Sequence, residues 1–151
     1  GWFARSRSRA GWLVREPGSV LGPADLLLAP ADAEEVFLEL GGERVALSTA
    51  PEWTSGPLAR RALPGDGARP PETRALVQAE DLLLCADPAL ASMAVAASHL
   101  EHDAQGWRIA PLVSLDERWH GAAVLARADG RWVGLLVVAD GQGRIADLPG
   151  R

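Results

Sequence analysis

The chain has 151 residues, which suits one domain, and its 48% hydrophobic and 23% charged residues exclude a disordered chain. A net charge of −5 gives a nucleic-acid partner no general electrostatic support. The one cysteine, Cys85, excludes an internal disulfide and a zinc site built on cysteines, and no apolar run reaches the ~18–20 residues of a membrane span.

The first ten residues are interpreted as a separate segment. Arg5, Arg7 and Arg9 alternate with small residues after an aromatic pair. This pattern is typical of a flexible chain end or of a juxtamembrane stretch that follows a membrane span. We therefore expect residues 1–10 to be flexible or juxtamembrane, and a folded domain to occupy residues 11–151.

Short strand-like runs, each followed by turn residues, fill the first part of that domain. Residues 11–14 are apolar and end at an Arg-Glu-Pro-Gly turn, and residues 20–21 and 26–28 form further short runs. Residues 35–40 alternate between two faces, a Gly-Gly pair follows, and residues 44–47 alternate again. That combination predicts a β-hairpin.

The middle of the chain is rich in proline and glycine. Residues 53–74 hold Pro57, Pro64, Pro70 and Pro71 together with three glycines. This composition predicts a loop without regular structure, which we interpret as the seam between two halves at about residues 11–60 and 75–151.

Strand-like runs resume after this seam, at residues 75–77, 82–85 and 107–113, whereas residues 90–100 fit a helix or a strand equally well. Residues 122–125 are apolar, an Asp-Gly turn follows at 129–130, and residues 132–139 are strongly β-forming. Another turn at 140–143 precedes a short last strand at 145–148. Many short strands with frequent turns predict an all-β sandwich or barrel.

Two stretches resemble the trypsin-like serine proteases, and in particular their HtrA-type branch. The sequence GWLV at 11–14, with PGSVLGPADLL at 17–27, is similar to the strand, turn and I-L-T-x-x-H-V-V pattern of that branch, and residues 31–47 resemble its following hairpin. The sequence WHGAAVL at 119–125, with DGRWVGLL at 129–136, is similar to N-S-G-G-P-L-V-N-x-D-G-x-V-[IV]-G-[IL], and GRIADLP at 143–149 resembles the closing strand. The resemblance implies a mostly β fold: a small trypsin-like double β-barrel with short strands and a Pro/Gly-rich loop between the barrels.

The departures from the family pattern decide what the resemblance implies about activity. The family's catalytic histidine falls on Asp25 and its nucleophilic serine falls on His120, while residues 54–59 offer no aspartate for the third position. Acyl transfer needs a nucleophile, an adjacent base and a group that orients the base. The resemblance therefore implies a degenerate triad with no catalytic residues, and a binding cleft formed by Asp25, Trp119, His120 and Gly121.

Metal binding is an alternative role for the histidines. His99 and His102 lie three residues apart beside two carboxylates, and the alignment brings Asp25 and His120 together across the former catalytic cleft. Histidine with carboxylate is a ligand set for a transition metal. The plainer interpretations are a polar loop or helix end for the first pair and a buried structural pair for the second. No other cofactor is expected.

The remaining nucleophiles carry little signal. Cys85 lies in an apolar run, which favours a packed thiol over a catalytic one. Ser92, Ser98 and Ser114 lack the G-x-S-x-G elbow. We predict a noncatalytic module that binds a protein or peptide, as the periplasmic or other extracytoplasmic part of a bacterial membrane protein. The alternatives are a metal-binding domain on the degenerate cleft and an active serine hydrolase whose nucleophile lies elsewhere.

Overall fold

The computed structural model describes residues 2–5, 10–27, 36–40, 43–47, 53–63, 69–86 and 91–148. Within these residues the chain is almost entirely β, with one helical turn and two short 3-10 turns. No helix among them has the length and apolar character needed to cross a membrane.

The first half of the chain forms one curled antiparallel sheet. Its strands pair in the order β5-β4-β1-β2-β3-β7-β6, and a helical turn, α1, follows β3. The elements are β1 (Trp2–Arg5), β2 (Ala10–Glu16), β3 (Ser19–Pro23), α1 (Ala24–Leu27), β4 (Val36–Leu40), β5 (Glu43–Leu47), β6 (Trp53–Ser55) and β7 (Leu58–Ala62).

The second half forms another curled antiparallel sheet, with the strand order β10-β11-β14-β13-β12-β8-β9. The two 3-10 turns, Ala97–His99 and Glu117–Trp119, precede β10 and β12. The strands are β8 (Leu82–Cys85), β9 (Met93–Val95), β10 (Leu100–Asp103), β11 (Gly106–Ile109), β12 (Ala123–Ala126), β13 (Trp132–Ala139) and β14 (Gln142–Ala146).

The two halves share one topology. The edge strands of each sheet, β5 with β6 and β9 with β10, are consecutive in the chain. If each such pair is counted as one interrupted strand, each half has six strands. Numbered 1 to 6 along the chain within their own half, these strands pair in the cyclic order 1-2-3-6-5-4 in both halves. The two halves thus share a strand order although the sequence carries no repeat of fixed period.

Three apolar clusters build the core, and one of them joins the halves. Leu21 and Leu58 from the first sheet pack with Trp132 and Leu135 from the second, and all four are buried. Each such side chain contributes roughly 1.5–3 kcal/mol on burial. The face of β13 that carries Leu135 therefore forms the floor between the two sheets.

The seam between the halves is more ordered than the sequence predicts. The Nε of Arg74 donates to Asp129 at 2.8 Å, and its Nη1 and Nη2 donate to Glu80 at 2.9 and 2.6 Å. Thr73 forms a parallel bridge with Trp132. Hydrogen bonds to both carboxylates raise the pKa of Arg74. The seam is thereby attached to the turn between β12 and β13.

The hairpin predicted at residues 35–47 is confirmed, since Leu40 lies opposite Glu43 in the pairing of β4 with β5; its Gly-Gly turn lies outside the described residues. The Asp-Gly turn is also confirmed, with Gly130 at φ +71°. Residues 90–100 resolve into β9 and a 3-10 turn, residues 75–77 form no strand, and the run predicted at 107–113 ends at Ile109.

Two predictions of loose structure are wrong. Residues 2–5 are not a flexible end, because β1 pairs with both β2 and β4. Residues 53–62 are not a loop, because β6 and β7 form a hairpin around Pro57. The pattern in β7 is obscured by Arg61, which is only 5% exposed and donates to the Leu27 carbonyl at 2.6 Å. Burial lowers the pKa of this arginine.

Candidate functional site

Asp25 and His120 meet across the two halves, as the alignment predicts. Asp25 lies on α1, which is anchored by the fully buried Leu26 and Leu27. His120 follows the 3-10 turn Glu117–Trp119 of the second half. The Asp25 Oδ1 and His120 Nε2 atoms are 2.9 Å apart, with the histidine side chain fully buried and the aspartate 43% exposed.

The hydrogen bonds of His120 assign its tautomer. The backbone N–H of Val138 donates to Nδ1 at 2.9 Å, so Nδ1 carries a lone pair and no proton. Nε2 then carries the proton and donates it to the Asp25 carboxylate. The neutral ring satisfies both partners, and no lone pair is left on it for accepting a proton from a substrate.

The backbone around His120 offers no outward anion hole. In the protease reaction, the nucleophilic residue and the residue two before it supply the N–H groups that bind the oxyanion. Here all five N–H groups from 118 to 122 have acceptors within the chain. Their acceptors, in order, are Asp116 Oδ1 at 2.9 Å, Asp116 O at 3.1 Å, Glu117 O at 3.1 Å, Leu136 O at 2.8 Å and Trp119 O at 3.0 Å.

Trp12 of β2 fixes this loop against the first half. Its backbone N–H donates to the His120 carbonyl at 2.8 Å, and its indole Nε1–H donates to the Arg118 carbonyl at 2.6 Å. Gly121 lies directly beneath it at φ +88°, where a Cβ atom would lie 1.9 Å from the Trp12 carbonyl oxygen. The sequence signals this contact only through the aromatic residue in the strand GWLV.

The turn between β6 and β7, where the family resemblance predicts the third triad residue, lies beside Asp25 and carries no acid. The Ala24 N–H donates to the Pro57 carbonyl at 2.7 Å, which places the turn between β6 and β7 next to α1. Residues 53–63 include no aspartate or glutamate. No carboxylate of this segment is therefore available to orient a base.

The predicted cleft residues lie together, but they do not line an open cleft. Trp119, His120 and Gly121 are buried, and only Asp25 is exposed. The sequence interpretation grouped all four as a binding cleft, and that role stays a prediction. The imidazole of His120 bridges Asp25 on α1 and the Val138 N–H of β13, so it fills the space between these two elements.

An open cavity of about 740 Å³ does lie between the halves, a short distance along β13. The turn at Ser55, Gly56 and Pro57 forms one wall, and β11, β13 and β14 form the floor and the other wall. A second cavity of about 540 Å³ lies between residues 115–117 and the β13–β14 turn. Neither cavity is predictable from the sequence, because both depend on how the two sheets are placed.

The histidines are not grouped as a metal site. The ring of His102 contacts Trp107 edge-on with centroids 4.7 Å apart, and His99 ends a 3-10 turn. Both ring nitrogens of His120 are already hydrogen-bonded. In the part of the chain that the structure describes, no three His, Cys, Asp or Glu side chains are grouped to hold an ion.

The other nucleophiles have no activating neighbour among the described residues. Cys85 is partly buried in β8, and burial raises the pKa of its thiol, which keeps it protonated. No described serine is hydrogen-bonded to a histidine. The arrangement of Ser, His and Asp needed for acyl transfer is thus not assembled in these residues.

No family model matches the sequence, and no curated protein matches it. Solved structures do match over almost the whole chain. The catalytically active tobacco etch virus protease, complexed with product, gives a TM-score of 0.73 at 9% identity, over 98% of this chain and 72% of that one. A human pathogenic astrovirus serine protease gives 0.69 at 14% identity, over 98% and 88%.

An inactive form of Rv3671c from M. tuberculosis H37Rv, a serine-to-alanine mutant, gives a TM-score of 0.63 at 14% identity, over 97% of this chain and 80% of that one. Identities this low carry information about the fold and not about the chemistry. The two curled sheets, their strand order and these similarities together establish that the chain has the small double-barrel fold of the chymotrypsin-like serine proteases.

Proposed function

We propose that this chain is a noncatalytic trypsin-like domain, a pseudoprotease, that binds an extended segment of a protein or peptide between its two halves. The observation that carries the proposal is the bonding of His120, whose Nδ1 accepts the Val138 N–H and whose Nε2–H is held by Asp25. The ring therefore links Asp25 to β13 at the position where the family resemblance predicts the nucleophile.

The chemistry of the family requires three things that this arrangement lacks. A hydroxyl or thiol must lose a proton to an adjacent base, and outward N–H donors must stabilise the oxyanion. Imidazole at position 120 is not an acylating serine, and a carboxylate at position 25 is a poor base near neutral pH. The N–H groups of residues 118–122 are already bonded within the chain.

Binding is supported by the cavity between the halves. Its volume of about 740 Å³ falls within the ~300–1,000 Å³ range of ligand sites, and its lining combines apolar Pro57 and Val137 with polar Gln105 and Gln142. Both halves contribute walls, so a segment bound there contacts the two barrels at once. Such a module would regulate its partner by holding a segment of it in this cavity.

The proposed setting follows from the sequence likeness to the HtrA-type branch. That likeness supports a periplasmic or other extracytoplasmic location and a bacterial parent protein anchored in a membrane. Fractionation of cells that produce the protein tests this part separately. Recovery with cytosolic markers would exclude it and would leave the binding proposal unaffected.

The test of the central claim uses a fluorophosphonate probe and a mixed peptide library read by mass spectrometry. We expect no labelled serine and no cleaved peptide, with an active trypsin-like protease as the positive control. We also expect Asp25→His/His120→Ser to stay inactive while folded, because the third carboxylate and the outward N–H groups are still missing. A labelled serine in the parent chain would overturn the proposal.

A further inference from the structure

The two cavities described above form one continuous surface. The cavity of about 740 Å³ and the cavity of about 540 Å³ share Ala139 and Asp140, at the end of β13. The turn that carries Asp140 separates them. A segment that extends along the end of β13 therefore contacts both cavities.

The arginines that line this surface are already neutralised. Arg144 donates from Nη1 and Nη2 to the two carboxylate oxygens of Asp103, each at 2.9 Å. Arg108 pairs with Glu101 at 2.5 Å. The Arg144 pair is bidentate and therefore directional, and in both pairs a carboxylate of the chain offsets the charge of the arginine.

Several carboxylates that line the surface are not neutralised in this way. Asp140 and Asp147 line the larger cavity, are exposed, and have no ion pair with any residue that the structure describes. Asp116 and Glu117 line the smaller cavity, and Asp116 is paired with the exposed Arg118. Among the described residues, carboxylates outnumber arginines in the lining of the two cavities. The lining carboxylates are Asp116, Glu117, Asp140 and Asp147, and the lining arginines are Arg108 and Arg144.

We infer that the segment bound between the halves is a basic one, an extended peptide with arginine or lysine side chains facing the β13–β14 turn. The inference rests on the proposed function and names its partner class. Charge complementarity raises the association rate and excludes acidic competitors, and its effect weakens with salt. Arginine is favoured over lysine, because its planar fork matches a carboxylate with two hydrogen bonds.

The probe follows from the geometry of an extended chain. Side chains at alternate positions of a strand point to the same face. A capped, fluorescent octapeptide with arginine at alternate positions and alanine between them presents four cations on one side. Two matched peptides carry glutamine or glutamate in place of arginine. Binding to the intact protein is measured by fluorescence anisotropy at 50 and 300 mM NaCl.

The variants isolate the two lining carboxylates that have no ion pair among the described residues. Asp140→Asn keeps the side-chain shape, and asparagine tolerates the φ of +53° at this position. Asp147→Asn is the second variant. Glu72→Gln makes the same change in net charge at a side chain that is 84% exposed and lies outside both cavities.

We expect the arginine peptide to bind, the glutamate peptide not to bind, and salt to weaken binding. Each of the two asparagine substitutions should weaken binding by about 1.5- to 5-fold, and Glu72→Gln should not. If all three substitutions act alike, or if the glutamate peptide binds as tightly, the basic-partner inference is wrong while peptide binding stands. If none of the peptides binds, or if the protein cleaves one, the proposed function itself fails.

Discussion

The loop around His120 and the cleft between the halves border the same strand, yet one is closed and the other open. The Val138 N–H of β13 is buried and bonded to the imidazole, whereas Val137 and Ala139 line the larger cavity. The backbone N–H groups of a strand lie in the plane of the sheet and its side chains project from that plane, so a single strand serves both regions. A closed, hydrogen-bonded loop at one edge of this strand is therefore compatible with an open groove along its face.

The two regions also differ in how their polar groups are satisfied. The His120 ring and its hydrogen bond from the Val138 N–H are buried, so removal of the ring leaves a desolvated group at a cost of about 1–3 kcal/mol. In the cleft the charges are partly exposed, and a single exposed pair contributes only about 0.2–1 kcal/mol. Substitutions should therefore act on stability in the first region and on binding in the second.

The largest expected effect is at Gly121. In Gly121→Ala, the new methyl group would overlap the Trp12 carbonyl oxygen at 1.9 Å and would also force an alanine to φ +88°. Strain and overpacking together predict a loss of about 3–6 kcal/mol in the free energy of unfolding. Urea denaturation followed by circular dichroism measures it.

Gly130→Ala is the matched control, because Gly130 also has a positive φ, +71°, but its Cβ would meet nothing within 4 Å. This substitution should cost about 1–2 kcal/mol, the backbone penalty alone. Equal losses for the two variants would show that Trp12 does not hold the loop closely.

A smaller loss is expected at His120. His120→Ala removes the acceptor of the Val138 N–H and the donor to Asp25, and it leaves a cavity in a fully buried site. We expect a loss of about 2–4 kcal/mol. His120→Gln should recover part of it, because an amide can accept from the one partner and donate to the other. The arginine peptide should still bind to the folded fraction of both variants.

The tautomer provides a direct check of the same bridge. Long-range ¹H–¹⁵N spectra of the imidazole should show Nδ1 without a proton and Nε2 with one, since Val138 donates to the first nitrogen. A ring protonated at Nδ1 would contradict the assigned bonds. It would also leave Nε2 with a lone pair, which is the state that a base requires.

Strand pattern and turn chemistry predict much of the fold from the sequence. The hairpins at 35–47 and 122–139 depend on local alternation and on glycine turns, and both are confirmed. The hairpin of β6 and β7 is not predicted, because the prolines and glycines of residues 53–74 indicate a loop and the adjacent Arg60 and Arg61 hide the strand pattern of β7. Their partners are distant in sequence: Glu16 for Arg60 at 3.1 Å and the Leu27 carbonyl for Arg61.

The site could be predicted only as a pair of positions. The alignment placed Asp25 opposite His120, and the structure gives the 2.9 Å contact. The resemblance could not show that His120 is also hydrogen-bonded to Trp12 and to Val138. Both of these bonds involve backbone groups, which have no sequence signature. The charge of the cleft was hidden for a related reason, since Asp103 and Arg144 are 41 residues apart.

The smallest expected effect concerns the cleft and depends on pH. The hydrogen bond from Arg144, with one from the Gln105 N–H, holds the pKa of Asp103 well below its usual 3.8. A carboxylate whose pKa is lower in the folded state stabilises the fold above its unfolded pKa, and that contribution is lost as pH falls through the folded value. The stability difference between the parent and Asp103→Asn should therefore be present at pH 5–7 and should shrink as the pH is lowered below 3.8.

Urea midpoints measured between pH 7 and pH 2 test this, and Arg144→Gln supplies the control. With the arginine gone, the bond that contributes most to the shift is absent, so Asp103→Asn should change the pH dependence less than it does in the parent. If the two backgrounds respond alike, the Asp103–Arg144 pair does not hold its charges together in solution. In that case Arg144 would be free to offset the charge of Asp140 and Asp147. The cleft would then have no excess of negative charge with which to bind a basic peptide.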